Sequence, residues 1–233
     1  MRERLQIVRT SDPLNSEPPL DALSRDLVTP TDLFYIRTHG TIPDIDPKRY
    51  RLSIDGALES PLELSMDDLR TSFERVSVMA VLACAGNRRC EMNAVRPIPG
   101  EVEWGAQAVG NAVWSGVRLR DVLVRARLRD EARHLAFMGA DEIDKAGKRI
   151  GFGASISVEK ATSPETILAY EMNGEPLPIP YGAPLRLRVE TQLGFKMTKW
   201  VRGIEFTHGY GAIGMGQGGW REDQQYYANA AGI

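Results

Sequence analysis

Cysteine is scarce in this chain: Cys84 and Cys90 are the two present among 233 residues. Two cysteines exclude a small fold built on several disulfides, and the C-x5-C spacing is not a standard redox motif. One bridge between them stays open, and a free, half-buried thiol is the simplest interpretation of Cys90. Histidine is equally sparse. His39, His134 and His208 lie too far apart in sequence to form, with these cysteines, a typical zinc site.

An excess of charge of either sign is also lacking. The formal net charge is −2 and the isoelectric point is about 6.0, so nothing points to nucleic acid or to an anionic lipid surface. No apolar run reaches the roughly 18 residues of a transmembrane helix, and residues 1–20 contain no apolar signal segment. We therefore predict no nucleic-acid partner, no membrane insertion, and a cytoplasmic location, or a periplasmic one if an export signal has been removed.

The chain is long enough, at 42% hydrophobic residues, for one large or two small domains. Residues 1–30 are polar and rich in proline, and they predict an extended N-terminal arm before a main domain at 31–233. Strands are predicted at 33–40, 50–56, 76–83, 133–141, 166–174, 183–190 and 199–207, and helices at 65–73 and 117–128. Strict alternation of strand and helix is missing, and this favours a mixed α+β domain over a doubly wound Rossmann sheet.

The stretch "VLACAGNRRCEM" at 81–92 carries the strongest chemical signal. Cys84 ends an apolar run and is followed by Arg88 and Arg89, and a thiol near guanidinium groups tends to be a thiolate that binds metals or attacks electrophiles. Neither a GxSxG elbow nor a cysteine-hydrolase signature such as CGSCW is present. A single soft ligand can hold a thiophilic metal that an organic cofactor already chelates. Arginine, lysine and backbone N–H groups would then bind the anionic part of that cofactor.

The motif "CAGNRRCEM" at 84–92 resembles the cysteine loop of the sulfite oxidase family of molybdenum enzymes. Further matching stretches follow in the family's order: FYIRTH at 34–39, EWGAQAVGNAVWSGVRLRDVL at 103–123, FGASI at 152–156, LAYEMNGEPLP at 168–178 and KMTKW at 196–200. The resemblance covers about residues 30–207. It implies the sulfite oxidase fold, an α+β fold with mixed sheets and inserted helices around one molybdopterin site, and molybdenum–molybdopterin as the cofactor.

The resemblance also implies a role for each matching residue. Cys84 is the expected ligand of molybdenum. The expected cofactor contacts, with Arg186 on the phosphate, are Tyr35, Ile36, Arg37, Thr38, His39, Asp141, Tyr181, Arg186, Met197, Thr198 and Lys199. The expected catalytic residues are Arg37, Arg89, Trp104 and Tyr226, with Tyr227 as the alternative tyrosine. Two departures stand out: Tyr181 replaces a histidine usual in the family, and neither the immunoglobulin-like domain nor a haem-binding motif is seen.

These residues predict an oxidoreductase that performs oxygen-atom transfer on a small oxyanion or on an S- or N-oxide. Its electrons would be exchanged with a separate partner, such as a cytochrome, because no haem domain is recognised. Two alternatives stay open from the sequence. The chain could be a homologue that binds molybdopterin without turnover, or a cysteine-dependent hydrolase that uses Cys84 as its nucleophile.

Overall fold

The computed structural model describes residues 6–129, 131–145 and 147–209. Thirteen strands dominate this part of the chain. They are β1 (Ile7–Ser11), β2 (Leu14–Glu17), β3 (Ile36–Arg37), β4 (Leu52–Gly56), β5 (Leu62–Leu64), β6 (Arg75–Ala83), β7 (Val109–Arg118), β8 (His134–Lys145), β9 (Lys148–Ser157), β10 (Ile167–Met172), β11 (Glu175–Pro176), β12 (Arg186–Arg188) and β13 (Val201–Thr207). The helices are α1 (Leu20–Leu23), α2 (Met66–Thr71), α3 (Arg89–Val95), α4 (Leu119–Ala126) and α5 (Val158–Thr162), and 3-10 turns occur at Thr31–Leu33, Ile179–Tyr181 and Gly194–Lys196.

The strands form three sheets. The first has the order β1-β2-β3, the second β11-β10-β7-β6 with β12 also paired to β10, and the third β5-β4-β13-β8-β9. Strand β13 runs parallel to β4 and antiparallel to β8, so the third sheet is mixed. Short helices are inserted between strands without regular alternation, and this architecture agrees with the predicted α+β class. Within the described ranges, no helix is long and apolar enough to cross a membrane.

Two hydrophobic clusters form the core of the part of the chain that the structure describes. The larger one joins the third sheet to α4, with residues such as Ile54, Leu123 and Phe137 fully or almost fully buried. The smaller one contains aromatic residues that pack near Cys84, among them Phe34 and Trp114. Because aromatic rings bury large areas in rigid shapes, this second cluster provides a firm floor for the cavity described below.

Local signals in the sequence predict some element boundaries correctly. Helix α2 begins after Ser65, whose side chain accepts a hydrogen bond from Asp68 N at 3.0 Å, while Asp68 Oδ2 accepts one from Ser65 N at 2.9 Å. This is the capping box that the spacing of these two residues predicts. The strand that leads to Cys84 is also present, as β6.

The predicted helix at 117–128 is wrong at its start. Val117 and Arg118 are the last residues of β7, and the helix begins at Leu119. Val117 is paired with Leu168 of β10 and with Arg75 of β6, so pairing on both sides overrides the helical pattern. Strands β7 and β9 and helix α3 have no counterpart among the predicted elements.

The predicted N-terminal arm contains β1, β2 and α1. Strand β2 pairs with β3, and Asn15 Oδ1 accepts a hydrogen bond from Thr38 N at 3.0 Å. The first sheet therefore ties the start of the chain to the segment that carries Arg37 and His39. The predicted division of domains at residue 30 stays a prediction.

Candidate active site

A cavity opens beside the second, smaller hydrophobic cluster. It contains about 990 Å³ of space, including its open mouth. The cavity brings together most of the residues predicted for the site: Tyr35, Arg37, Thr38, His39, Cys84, Arg89, Trp104, Asp141, Tyr181, Arg186, Met197 and Lys199. Residues from distant parts of the sequence thus meet in one place.

The loop after β6 presents Cys84 to this cavity. Cys84 N donates a hydrogen bond to Ala108 O at 2.9 Å, and Gly86 N lies 3.4 Å from Cys84 Sγ as a donor to the sulfur. A Cβ atom at Gly86 would lie 2.6 Å from the Arg89 guanidinium, so glycine leaves room for that side chain. The loop therefore places a free, half-buried thiol next to a cation.

The second cysteine takes no part in this arrangement. Both thiols are free, which corrects the alternative of a bridge between Cys84 and Cys90. Cys90 is exposed on α3, so the expectation of a half-buried thiol is wrong. Arg88, two residues before Cys90, is exposed and paired with Glu91.

Arg37, Arg89 and Glu101 form a group of charges that we call the Arg89 cluster. Arg89 Nη1 donates to Glu101 Oε2 at 2.8 Å, and Arg37 Nη2 lies 3.8 Å from the same oxygen. Arg37 Nη1 also donates to Thr38 O at 2.6 Å. All three charged side chains are more than four-fifths buried, so water screens their interaction weakly. Trp104 lines the cavity with them.

Asp141, Arg186 and Lys199 form a second group, the Lys199 cluster. A Cβ atom at Gly182 would lie 3.0 Å from the Cβ atoms of both Arg186 and Lys199, which shows how closely these chains approach. Gly182 has a φ of +115°, a conformation that favours glycine.

Burial shifts the proton affinities in the Lys199 cluster. Burial raises the pKa of Asp141 to about 6, although the charge of Lys199 opposes this rise. Burial, reinforced by the charge of Arg186, holds the pKa of Lys199 well below its usual range. Burial also lowers the pKa of Arg186 to about 10. These side chains are charged groups taken out of water, and such groups are typical of binding sites.

Aromatic and carbonyl groups fix the two cations of this cluster. Arg186 lies over Trp114 at 4.8 Å and donates from Nη1 to Tyr181 O at 2.9 Å. Lys199 Nζ lies 4.0 Å from the centre of the Trp200 ring and donates to Pro180 O at 2.9 Å. The cations are therefore oriented before any ligand binds.

Two predicted site residues that the structure describes do not line the cavity as expected. Ile36 packs in the second core cluster, and Thr198 is fully buried outside the cavity lining. Tyr226, like its alternative Tyr227, lies outside the described residues. Tyr181 does line the cavity, but its hydroxyl is held 2.8 Å from the carbonyl oxygens of Thr31 and Phe34.

The cavity wall also contains residues that sequence reasoning did not assign. Glu101 completes the Arg89 cluster, and Phe152 stacks on His39 with ring centres 5.0 Å apart. Phe152 belongs to the matching stretch FGASI, so the motif was a signal for it. Glu101 has no such signal, because a glutamate in a proline-containing loop is typical of exposed surface.

The donors of the cavity fit the predicted molybdenum–molybdopterin group. Cys84 offers a soft sulfur of the kind that thiophilic metals bind, and buried guanidinium groups suit a phosphate. Among the residues that the structure describes, Asp141 Oδ1, Arg186 Nε and Arg89 Nε are buried without a hydrogen-bond partner. Such atoms are costly to bury unless a ligand satisfies them. No group of three or more His, Cys, Asp or Glu side chains in the same ranges could hold a bare metal ion.

The chain is similar to several characterised proteins. It is 42% identical over 206 residues to the mitochondrial sulfite oxidase of Rattus norvegicus, covering 86% of this chain and 37% of that protein. It is 42% identical to the sulfite oxidase of Arabidopsis thaliana, with coverages of 84% and 52%, and 40% identical to the NADH nitrate reductase of Hordeum vulgare, with coverages of 84% and 22%. The chain thus spans about half or less of the length of these relatives.

A solved structure and a family model agree with these similarities. The sulfane dehydrogenase SoxCD from Paracoccus pantotrophus superimposes with a TM-score of 0.76 at 27% identity, over 94% of this chain and 51% of that one, which confirms the predicted fold. The model of the oxidoreductase molybdopterin binding domain matches residues 39–210. The chain therefore belongs to the sulfite oxidase family of oxidoreductase molybdopterin-binding domains, and its cofactor is molybdenum–molybdopterin, as the cysteine-loop resemblance implies.

Proposed function

We propose that this chain carries the catalytic centre of an oxygen-atom-transfer enzyme that acts on a small oxyanion or on an S- or N-oxide. One observation supports this most: the Cys84 thiol shares a single cavity with two arginines, the buried Arg89 and the partly buried Arg37. A thiolate that holds a metal beside oxyanion donors is the arrangement that such a reaction needs.

The chain's residues divide the work of binding the cofactor. Cys84 would hold the molybdenum through its sulfur, and Arg186 and Lys199 would bind the anionic tail with charge-assisted hydrogen bonds. The bound cofactor supplies the two-electron redox chemistry of oxygen-atom transfer. Because Arg186 and Lys199 are already fixed by Trp114 and Trp200, little side-chain entropy is lost when the tail binds.

Arg37, Arg89 and Trp104 would bind the substrate. A guanidinium group offers planar N–H donors that match the oxygens of an oxyanion or an oxide. Trp104 is almost completely buried and meets Tyr35 edge to face, with ring centres 6.2 Å apart, so it excludes water from that wall. Because the side chains of Arg37 and Arg89 are more than four-fifths buried, their charges are weakly screened and act strongly on a bound oxygen.

The names of the relatives support this class of substrate. They are sulfite oxidases, a nitrate reductase and a sulfane dehydrogenase, and each name refers to a small sulfur or nitrogen compound.

We propose that electrons are exchanged with a separate protein such as a cytochrome. We also propose that the enzyme is cytoplasmic, or periplasmic if an export signal has been removed.

Replacement of Cys84 tests the proposal. We expect Cys84→Ala, made in a host that synthesises molybdopterin, to lose the absorption of the thiolate–metal bond and all turnover of sulfite, nitrate or dimethyl sulfoxide, screened in both redox directions. Cys90→Ala is the matched control, because Cys90 is an exposed thiol six residues away, and we expect it to retain both. Elemental analysis for molybdenum accompanies each spectrum.

Other outcomes would support the alternatives. Molybdenum that binds in the wild type but cycles with no substrate, dye or electron acceptor would indicate a binding homologue without turnover. Hydrolysis by metal-free protein, abolished by alkylation of Cys84, would indicate a cysteine hydrolase. Either result would overturn the proposed reaction.

A further inference from the structure

A carboxylate lies between the two arginines that would receive the substrate. Glu101 Oε2 accepts a hydrogen bond from Arg89 Nη1 at 2.8 Å and lies 3.8 Å from Arg37 Nη2. The side chain of Glu101 is 12% exposed, and those of Arg89 and Arg37 are 9% and 17% exposed. Two guanidinium charges and one carboxylate leave a net charge of one positive unit in the Arg89 cluster.

The backbone holds Glu101 in this place. Its loop is braced by Asn93, whose Oδ1 accepts from Ile98 N at 3.1 Å and whose Nδ2 donates to Glu103 Oε1 at 2.7 Å. Gly100, directly before Glu101, has a φ of +78°, a conformation that glycine adopts without strain. The carboxylate is thus directed at the arginines by a loop that is fixed on both sides.

We propose that Glu101 sets the charge of the substrate, so that the site accepts a molecule with at most one negative charge and rejects a dianion. The inference rests on the proposed function, because it takes Arg37 and Arg89 as the residues that bind the substrate oxygen. A dianion at this position meets a carboxylate that already accepts a hydrogen bond from Arg89 and lies close to Arg37. It must displace the carboxylate or lie against it, and like charges held close in a buried site repel strongly.

The electrostatic repulsion from Glu101 is smaller for a neutral oxide or a monoanion than for a dianion. A neutral S- or N-oxide can accept one N–H bond from a guanidinium while Glu101 keeps another. A monoanion balances the single net positive charge of the cluster. The Arg89 cluster therefore separates substrates by their total charge, which shape alone would not do for tetrahedral ions of equal size.

The test measures the binding of two probes to the molybdenum-loaded protein. Sulfate is the dianion, and methanesulfonate is a monoanion with a similar sulfur centre. Dissociation constants come from the rise of the melting temperature with probe concentration, which needs no turnover. We expect Glu101→Gln to bind sulfate about tenfold more tightly than the wild type, with methanesulfonate changed by less than about threefold. Glu101→Ala serves as a second variant and should shift in the same direction.

Glu103→Gln is the matched control. Glu103 is an exposed acid two residues along the same loop, and glutamine keeps an oxygen that can accept from Asn93. We expect no change in the affinity for either probe. An unchanged affinity for sulfate in both Glu101 variants would overturn the proposal, and so would an equal gain for both probes or an equal gain in Glu103→Gln.

An Arg89→Met variant separates this inference from the function on which it rests. If Arg89→Met weakens the binding of both probes while the Glu101 variants change nothing, the arginines bind the anion but the proposed role of Glu101 is wrong. If Arg89→Met leaves both affinities unchanged, the arginines do not bind the anion, and both proposals fail.

Discussion

Single residues in the cavity owe their chemistry to burial. Asp141 is an ordinary carboxylic acid by sequence, yet loss of hydration raises its pKa to about 6, against the pull of the Lys199 charge. The same loss of hydration holds the pKa of Lys199 well below its usual range. A site that keeps such groups out of water sacrifices stability in the absence of its ligand, and this is common at functional sites.

The pKa of Asp141 predicts a pH dependence of stability. Because folding raises this pKa, the folded state keeps the proton of Asp141 at pH values at which the unfolded state has lost it. The free energy of unfolding therefore decreases as the pH rises from about 4 to about 6. The contribution is on the order of 3 kcal/mol. We expect Asp141→Asn to remove this decline from the free energy of unfolding of cofactor-free protein, measured in urea at several pH values.

Asp55→Asn is the control for this experiment, because Asp55 is exposed on β4 and its replacement should leave the pH profile of the wild type. A decline between pH 4 and 6 that persists in Asp141→Asn would show that another group causes it.

Among the elements, β7 is an interior strand of the second sheet, and it pairs with β6 on one side and β10 on the other. It also carries Trp114, on which Arg186 of the cavity lies. At Gly116 the neighbouring strand comes so close that an added Cβ would overlap the carbonyl oxygen of Leu168. Backbone cannot move aside as a flexible side chain can. Glycine in the middle of this strand is therefore a requirement of close pairing.

We expect Gly116→Ala to lower the free energy of unfolding by about 3 kcal/mol, because the overlap forces β7 and β10 apart. Gly151→Ala is the matched control: Gly151 lies in β9, where an added Cβ has nothing within 4 Å, and the change should stay within about 0.5 kcal/mol of the wild type. Chemical denaturation measures both. Equal stability of the two variants would contradict the close pairing of β7 with β10.

At the scale of the whole molecule, the cavity unites segments that are far apart in sequence, from Arg37 to Lys199. A ligand bound there contacts each of these segments, so it stabilises the folded state as a unit. Removal of the cofactor should therefore affect the entire fold and not a single loop.

We expect the molybdenum-loaded protein to melt at a temperature about 10 °C above the cofactor-free protein, which corresponds to roughly 4 kcal/mol of binding linkage. Scanning calorimetry of both forms measures this difference. Lys199→Met should reduce this difference in melting temperature, because the protein loses a cation that binds the tail of the cofactor. Lys148→Met, at an exposed position, should leave the difference unchanged. A difference that is the same in both variants would show that Lys199 does not bind the cofactor.

Local sequence patterns alone determine several features of this protein. The capping box at Ser65 and Asp68, the apolar strand before Cys84 and the CAGNRR motif are each contained in a few consecutive residues, so the sequence alone predicts α2, β6 and the molybdopterin family. Their physics is local: a side chain caps the backbone three residues away, and a run rich in β-branched residues favours the extended strand conformation.

Only the tertiary structure decided the rest, because those features depend on residues far apart in the chain. Val117 belongs to a strand since both neighbours pair with it, although its spacing suits a helix. Glu101 resembles a surface acid until the fold directs its loop at Arg37 and Arg89. The exposure of Cys90 and the raised pKa of Asp141 likewise follow from packing and loss of water, which no local pattern encodes.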